Sequence, residues 1–325
     1  MTTAKEVAKA ANVALPTAYE ALRGAGRLRP ATRQRVLDAA DRLNYKPSAA
    51  ARALNNHTTR QIGLIGKLHP VNVDTYIGAN AALLEADRVM SIFTYKDENL
   101  GPMQQRAFRE RMFDGMVVID QVPNEIYDEL EQIEHCVWAN TDRSATYDCI
   151  QRNEFAVGQT AAKQLLDAGW RDLVFVYGPM SQEHYSQQER LRGIRDVAEA
   201  AGANVHPVLC PEAGTSWRQL DERLTPYLND SAFIFSDTYR VRAMQTMFLH
   251  RGLLPGRDVS IVCCDDTQEF VLTWPELSRA SFDRSDLGRQ AVEMLIRRIN
   301  TGKPQPSILV DSNWVAGQTI AQRSR

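Results

Sequence analysis

The stretch that decides the fold is residues 7–24, VAKAANVALPTAYEALRG. Apolar residues recur at helical spacing on both sides of Asn12, which tolerates the left-handed backbone of a tight turn. Upstream, Thr3 and Glu6 have the spacing of a capping box, which begins a helix. Downstream, Pro16 suits the first turn of a second helix, because a missing N–H costs little there. The stretch therefore predicts two short helices joined by a tight turn.

A third helix is predicted from about Ala31 to Leu43, where Val36, Leu37 and Ala40 form an apolar face. Three short helices of this kind make the smallest bundle that presents a recognition helix to the DNA major groove. A plain three-helix bundle has the same periodicity, so the pattern alone leaves both interpretations open.

Charge is distributed unevenly along the chain. Residues 1–60 contain 11 Lys and Arg against 4 Asp and Glu, whereas the whole chain of 325 residues has a net charge of −2. A basic head on an acidic body is suited to binding nucleic acid, because Lys and Arg neutralise phosphates and release their counterions. A solvated basic surface would have the same composition.

The composition is that of a soluble globular protein, with 44% hydrophobic and 24% charged residues. Neither a signal peptide nor an apolar run of membrane-spanning length is found, so we expect a cytoplasmic protein. The five cysteines are odd in number and include no C-x-x-C pair, which favours reduced thiols over disulfides or a zinc site. We expect no cofactor and no bound metal.

From residue 61 onward, short apolar runs alternate with helical stretches. This alternation predicts βαβ units, and two successive sets of units predict two lobes, each built on a parallel sheet covered by helices. Ligands of such sheets bind at the carboxyl ends of the strands, here between the lobes. The predicted strands are residues 62–66, 90–95, 115–119 and 136–140, then 173–178, 205–210, 232–237 and 259–266.

The head resembles a known family of transcription regulators. VAKAANV-x4-AYEALRG (residues 7–24) and PATRQRVLDAADRLNYKPSAAARAL (residues 30–54) are similar to the helix-turn-helix and hinge of the lactose/purine repressor (LacI/GalR) family. The most specific part of this resemblance is NYKPSAAARAL. It favours double-stranded DNA as a partner over the plain-bundle interpretation.

The resemblance also implies how the hinge contacts DNA. The hinge would fold when two copies of the chain meet in the minor groove, where Leu54 would wedge into the central base step. Ser48 can cap this short helix. Ala51 and Arg52 would lie against the groove floor and the DNA backbone.

Some DNA-reading positions depart from the family pattern. Ala14 stands where the family usually has a capping serine, and Leu15 and Pro16 stand at base-reading positions. Leu15 offers only apolar contact, for instance to a thymine methyl group, and Pro16 cannot donate a hydrogen bond. Glu20 either accepts a hydrogen bond from a cytosine amino group or repels phosphate at wrong sites. The operator sequence is therefore not carried over from the family. The expected phosphate or sugar contacts are Thr3, Thr17, Tyr19, Arg23 and Thr32.

The resemblance continues through the body, where FDGMVVI, GPMSQEHYSQQERLRGI, FSDTYRVRAM, PGRDVSIVCCDDT and LGRQAVEMLIRRI occur in the family's order. It implies an all-α helix-turn-helix head plus an α/β periplasmic-binding-protein-like body of two doubly wound lobes, joined by three crossovers. The expected boundaries are 1–46 for the head, 47–60 for the hinge helix and linker, and 61–325 for the body, with lobe 1 at about 61–153 and 284–311 and lobe 2 at about 154–283 and 312–325.

Candidate effector-binding residues follow from the same resemblance, one position at a time. Arg190, in ERLRG, matches a ligand-contacting arginine whose planar fork of donors suits hydroxyls or carboxylates. Asp265 matches an aspartate at a strand's carboxyl end, with two acceptor oxygens for sugar hydroxyls. Trp217 matches an aromatic position on which a sugar or base can stack. Plain interpretations are also open: Arg190 as a surface helix charge, Asp266 as a turn residue and Trp217 as a core residue. The remaining candidates are Asn153, Ser236 and Asp237.

Arg152 departs from the family pattern, because an aspartate usually precedes the asparagine at this point. Replacing a hydroxyl acceptor by a cation in a ligand cleft would favour an anionic effector, such as a sugar acid or a sugar phosphate. Alternatively, Arg152 points to solvent or pairs with a nearby acidic residue.

The leading functional interpretation is a dimeric transcription regulator, by family habit a repressor. Its head would bind a near-palindromic operator, and a sugar or sugar derivative in the body would change its affinity for DNA. The alternative is a solute-binding protein for sugar uptake, which the basic head and the missing signal peptide argue against. No common catalytic motif is found, so we expect that the chain is not an enzyme.

Overall fold

The structure is a computed structural model that describes residues 2–22, 24, 28–45, 58–67, 72–95, 100–110, 112–141, 148–178, 185–210, 217–266 and 275–323, with only the backbone of Trp217. The chain divides into two compact units. The first, the head unit, consists of Met1–Gln61 and Met112–Asp114, and the second, the body, consists of Ile62–Arg111 and Gly115–Arg325. Within the described residues, every helix is too short or too polar to cross a lipid bilayer.

Three helices form the head unit: α1 (Ala4–Ala10), α2 (Leu15–Leu22) and α3 (Pro30–Arg42). Small apolar side chains make their shared core, which allows the helices to approach closely. Asn12, between α1 and α2, has φ of 51°, as its role in the turn requires. The helices, their order and the turn confirm the prediction from the sequence. The buried core residues are Val7, Ala8, Ala11, Ala18, Ala21, Val36, Ala39 and Ala40.

A capping box begins α1. The Thr3 hydroxyl accepts a hydrogen bond from the Glu6 N–H at 3.4 Å, and the Glu6 carboxylate accepts one from the Thr3 N–H at 2.7 Å. The backbone and hydroxyl of Thr3 lower the pKa of Glu6. Because the carboxylate form makes these bonds, their contribution to helix stability is present at neutral pH and is lost as acid protonates Glu6.

Replacing Thr3 by alanine is therefore expected to loosen α1. The loss of an N-cap costs about 1 kcal/mol, which corresponds to about fivefold faster amide exchange when exchange reports the opening of the helix. Hydrogen–deuterium exchange of the α1 peptide in the full-length protein measures this change. Thr17→Ala is the matched control, because Thr17 lies inside α2 and caps no helix. Equal exchange of α1 in wild type and Thr3→Ala would contradict the capping role.

Asp114 fixes the chain where it leaves the linker. Its carboxylate accepts hydrogen bonds from the Thr58 hydroxyl at 2.5 Å, the Thr59 N–H at 2.6 Å and the Arg60 N–H at 3.1 Å. Arg60 has a positive φ of 57°, a conformation that costs energy in a non-glycine residue. The hydrogen bonds to Asp114 compensate for this cost.

Two six-stranded sheets form the body, with strand orders β11-β5-β4-β3-β1-β2 and β12-β10-β9-β8-β6-β7 among the described residues. Nearly all pairings are parallel, and the pairing of β10 with β12 is antiparallel. The strands are β1 (Gln61–Ile65), β2 (Val89–Phe93), β3 (Gly115–Ile119), β4 (Cys136–Ala139), β5 (Asp148–Arg152), β6 (Asp172–Tyr177), β7 (Asn204–Leu209), β8 (Ala232–Phe235), β9 (Ile261–Cys263), β10 (Ser278–Ser281), β11 (Ile308–Val310) and β12 (Asn313–Val315). The eight predicted strands are present, and β5, β10, β11 and β12 are additional.

Helices cover both sheets, and within the described residues apolar cores lie against the first sheet and against each face of the second. The two doubly wound lobes expected for the fold class are thus confirmed. The helices are α4 (Val73–Glu85), α5 (Pro102–Arg109), α6 (Asn124–Glu131), α7 (Glu154–Asp167), α8 (Tyr185–Ala200), α9 (Trp217–Leu224), α10 (Thr238–His250) and α11 (Arg284–Thr301), with a 3-10 turn at Thr225–Tyr227.

The chain passes between the two sheets three times: from β5 to α7, from β10 to α11, and from β11 to β12. The second passage returns the chain to the first sheet, because α11 packs against β3, β4, β5 and α4. The third brings β12 back to the second sheet. Residues 152–154, 282–284 and 311–312 therefore lie at the crossings.

Glycines allow two helix pairs to approach closely beside these crossings. A Cβ atom on Gly158 of α7 would lie 2.0 Å from the carbonyl oxygen of Arg190 in α8. A Cβ atom on Gly78 of α4 would lie 1.8 Å from the carbonyl oxygen of Ser285 in α11. No side chain fits at such distances, so glycine is required at both positions. These contacts fix the α8 residue Arg190 and the start of α11, where Arg284 lies.

Candidate functional sites

A buried cluster of five charged side chains lies where the chain crosses between the two sheets. It contains three guanidinium groups and two carboxylates, and we call it the crossing cluster. Buried charges require partners, because the loss of hydration is not otherwise compensated. The members of the crossing cluster are Arg152, Glu154, Arg190, Asp265 and Arg284.

Arg190 directs its fork of donors at one carboxylate. Its Nε and Nη2 atoms donate to the two oxygens of Glu154 at 2.7 and 2.8 Å, and Nη1 donates to the Ser236 carbonyl oxygen at 2.5 Å. Burial alone would lower the pKa of Arg190, but the charge and hydrogen bonds of Glu154 raise it above its usual value. The predicted ligand-binding arginine thus has an internal partner on each of its three nitrogens.

Arg152 joins the first crossing to the second sheet and to the third crossing. Its Nη2 atom donates to the Cys264 carbonyl oxygen at 2.9 Å, its Nε to the Ser312 hydroxyl at 2.7 Å, and its Nη1 lies 3.4 Å from Asp265 Oδ1. The side chain is 1% exposed, and burial lowers its pKa. Arg152 therefore pairs with acidic residues, and the alternative in which it points to solvent is wrong.

Asp265 lies between cations from two crossings. Its Oδ1 atom accepts hydrogen bonds from Arg152, from Arg284 Nη2, and from the Asp266 N–H at 2.9 Å. Burial would raise the pKa of Asp265, but the nearby guanidinium groups hold it below its usual range, led by Arg284. Asp265 is therefore ionised at neutral pH.

Sequence reasoning missed Arg284 and Glu154. Arg284 is the first residue of α11, and its guanidinium group lies 4.5 Å from the centre of the Phe282 ring, which also contacts Arg152 at 4.3 Å. Phe282 thereby gives both cations a favourable cation–π contact. Both residues lie within three positions of the end of β5 or β10, and the sequence offered no signal for them because neither strand was predicted.

Other predicted effector residues have structural hydrogen bonds. Asn153 caps α7 by accepting from the Ala156 N–H at 3.2 Å, and its Nδ2 atom donates to Asp311 Oδ1 at 2.9 Å. The Ser236 hydroxyl donates to Asp237 at 2.7 Å, while Asp237 caps α10 and pairs with Arg240. The side chain of Trp217 lies outside the described residues. The structure thus brings together Arg152, Arg190, Asp265 and the backbone of Ser236.

A second polar group lies in the first lobe, at the carboxyl ends of its strands. Asp120 follows β3 with a positive φ of 60° and accepts hydrogen bonds from Asn72 Nδ2 at 2.7 Å and Asn140 Nδ2 at 2.6 Å. Sequence reasoning missed this group too. In a search limited to the described residues, no cluster of His, Cys, Asp and Glu suitable for a metal ion was found.

Among the predicted DNA contacts, Leu15, Pro16 and Glu20 are exposed on α2, and Thr17 and Tyr19 are half-buried beside them. Thr32 is half-buried on α3. The Thr3 hydroxyl already bonds to Glu6 within the capping box. Five further predicted contacts lie outside the described residues: Arg23, Ser48, Ala51, Arg52 and Leu54.

The head and the body each match a known protein family model. Residues 3–48 match the family described as bacterial regulatory proteins, lacI family, and residues 162–320 match the periplasmic binding protein-like domain. The head thus matches the lacI family of bacterial regulatory proteins, and the larger part of the body matches a periplasmic binding protein-like domain. The head and body thus agree with the family resemblance of the sequence.

Named relatives extend along nearly the whole chain. The HTH-type transcriptional repressor PurR of Photobacterium profundum is 25% identical over 312 residues, covering 92% of each chain. The ribose operon repressor of Haemophilus influenzae is 26% identical over 334 residues, covering 98% of this chain and 99% of its own. A solved lac repressor dimer bound to operator and an anti-inducer covers 98% of this chain and 99% of its own, with a TM-score of 0.82 and 18% identity. That last likeness establishes the fold.

Removing the charge of Asp265 should destabilise the body strongly. Asp265→Asn leaves two buried guanidinium groups without their shared anion, which costs roughly 3–5 kcal/mol for a buried pair. Urea unfolding followed by tryptophan fluorescence measures the loss. Glu85→Gln is the matched control, because it removes a carboxylate from an exposed pair with Arg289 and should leave the unfolding midpoint unchanged. Equal midpoints for Asp265→Asn and wild type would refute the role of Asp265 as counter-ion.

Proposed function

We propose that this protein is a sequence-specific DNA-binding transcriptional repressor whose operator affinity changes when a small molecule binds between the two lobes. The observation that carries the proposal is the combination of an exposed recognition helix with a polar cluster at the crossings of a two-lobed body. The relatives named above support it, because they are named as repressors and align with this chain over nearly their full length. A sugar-uptake role explains neither the helix-turn-helix head nor these relatives.

In this proposal, residues 1–46 are the DNA-binding head, 47–60 the hinge and linker, and 61–325 the body. Lobe 1 consists of about 61–153 and 284–311, and lobe 2 of about 154–283 and 312–325. An effector that prefers one arrangement of the lobes shifts the protein toward it. The same coupling must act in reverse, so that operator DNA changes the affinity for effector by an equal factor.

The proposed reading surface is the exposed side of α2. Leu15 and Pro16 meet base edges without hydrogen bonding, and Glu20 selects a base that donates, such as cytosine. The same proposal retains phosphate or sugar contacts from Thr3, Thr17, Tyr19, Arg23 and Thr32, and hinge contacts from Ser48, Ala51, Arg52 and Leu54. The effector site would be lined or held in place by Arg152, Asn153, Arg190, Trp217, Ser236, Asp237 and Asp265.

An unbiased selection from random double-stranded DNA tests the proposed function. Purified full-length protein is expected to enrich an inverted repeat, which fluorescence anisotropy then titrates at several salt concentrations. Specific affinity should exceed affinity for random DNA by about 1,000-fold or more, and both should fall steeply with salt. Glu20→Gln is expected to change the selected base at one position of each half-site.

The control for that selection is Asp41→Asn, which removes an exposed carboxylate from α3 and should return the wild-type repeat. Weak binding with no enriched sequence, with and without added sugars, sugar acids and nucleobases, would refute the proposed function.

A homodimer is part of the same proposal, since an inverted repeat requires two heads. The first lobe exposes apolar side chains along α4 and the adjacent edge strand β2. Exposed apolar residues that lie near one another on a helix and an edge strand are typical of a protein–protein interface. The face consists of Val73, Ile77, Leu84, Val89 and Ile92.

Ile77→Asp should therefore convert the dimer to a monomer and weaken operator binding. An aspartate at the centre of an apolar interface would be desolvated without a partner. Sedimentation velocity measures the mass, and Leu309→Asp is the matched control. Leu309 has the same 56% exposure as Ile77 but lies on β11, at the opposite edge of the sheet. A dimer that survives Ile77→Asp would place the interface elsewhere.

A further inference from the structure

The crossing cluster contains one more cation than anion. Arg152, Arg190 and Arg284 are balanced by Glu154 and Asp265. Glu154 gives both of its oxygens to Arg190, and Asp265 is shared between the other two arginines. A buried cation without its own counter-ion is energetically unfavourable, so the cluster favours one further negative charge.

The surplus charge can be assigned to Arg284. All three nitrogens of Arg152 and of Arg190 donate hydrogen bonds. Arg284, in contrast, uses Nη2 for Asp265, and its buried Nε atom has no hydrogen-bond partner among the described residues. The side chain is 11% exposed, so little water can replace the missing partner. The unfilled donor thus lies on the arginine whose ion-paired carboxylate, Asp265, is shared with Arg152.

Other described acidic residues near Arg284 leave its Nε atom unfilled. Asp120 acts on Arg284 through space and helps to raise its pKa, behind the larger influences of burial, which lowers the pKa, and of Asp265, which raises it. The Asp120 oxygens accept hydrogen bonds from the neutral amides of Asn72 and Asn140, so Asp120 keeps its charge and acts on Arg284 only from a distance. Asp266 pairs with Arg279 at 2.7 Å. Neither residue forms an ion pair with Arg284 within the described part of the chain.

The described contacts of Arg284 with Phe282 and Asp265 leave its Nε atom as an unfilled donor for a ligand. Phe282 lies against the plane of the guanidinium group, and Asp265 occupies one of its terminal nitrogens. A carboxylate or phosphate oxygen approaching Nε would complete a charge-assisted hydrogen bond of the strong class. A neutral hydroxyl would fill the donor but leave the charge uncompensated.

We propose that the effector carries an anionic group, a carboxylate or a phosphate monoester, and that Arg284 binds it. This inference rests on the proposed function, because it assigns the chemical class of the molecule bound between the lobes. Arg152 acts indirectly, because its bonds to the Cys264 carbonyl and to Ser312 hold it beside Asp265. The anionic effector considered for Arg152 from the sequence is thereby reassigned to a different arginine.

The first test uses acetate and inorganic phosphate as probes for the two kinds of anion. Thermal unfolding of the full-length protein is followed at constant ionic strength, with chloride as the reference anion. At tens of millimolar, one of the two probes should raise the midpoint of the wild type by about 2 °C. The probe that does so identifies the anionic group.

Two variants on the same helix make this test specific. Arg284→Gln should abolish the rise in midpoint, whereas Arg289→Gln, which removes an exposed guanidinium group paired with Glu85, should retain it. The rise is compared within each protein, so a change in basal stability does not affect the result. Arg284→Lys, which keeps the charge, should retain part of the rise. No rise with either probe, or the same rise in all variants, would overturn the proposal.

The second test uses matched sugars: glucose with glucuronate and glucose 6-phosphate, and ribose with ribose 5-phosphate. Binding is measured by calorimetry, and operator affinity is measured on the same sample. The affinity for an anionic sugar that binds should exceed the affinity for the matching neutral sugar by about 10- to 100-fold. Arg284→Gln should remove that preference. A neutral sugar that binds as tightly as its anion would overturn the inference and leave the proposed function intact. Failure of the DNA selection would refute the proposed function itself.

Discussion

The shared counter-ion Asp265 is the interaction on which the body depends. One carboxylate oxygen holds two guanidinium groups that enter from different crossings, so two of the three crossings converge on a single charge. Burying these groups costs several kcal/mol each, and their attraction in a low-dielectric interior offsets that cost only while the geometry is kept. The cluster therefore contributes little to net stability. Its main effect is to specify one relative position of the two sheets.

Regulation follows from the same geometry. Arg152 belongs to the end of the first sheet, and the carbonyl and carboxylate that it binds belong to the second. A ligand that enters beside Arg284 changes the balance of charges on Asp265 and thereby alters the bonds between the sheets. Because those bonds differ between the two lobe arrangements, the ligand binds one arrangement more tightly than the other. That difference in binding free energy shifts the population of molecules that bind DNA.

Local patterns predicted the head and most of the body, whereas tertiary pairing decided the rest. The capping box at Thr3 and the turn at Asn12 are fixed within a few residues, so the sequence was sufficient for both. Strand β5 begins with Asp148 and ends with Arg152, and its short apolar centre hid it. The family resemblance indicated Arg152, Arg190 and Asp265 as site residues. It did not indicate their ion-pair partners, because these depend on which chain crossings lie next to each other in the fold.

The internal pairing of Arg190 changes what can determine effector specificity. Glu154 and the Ser236 carbonyl occupy one donor on each of its nitrogens, so Arg190 acts mainly to fix the second lobe's strand ends. Direct recognition then depends on groups with unfilled capacity, and Arg284 is such a group on the first-lobe side of the cluster. A position to which the sequence resemblance assigned ligand binding is thus part of the scaffold here, where Arg152 and Asp265 add to the network of charges around it.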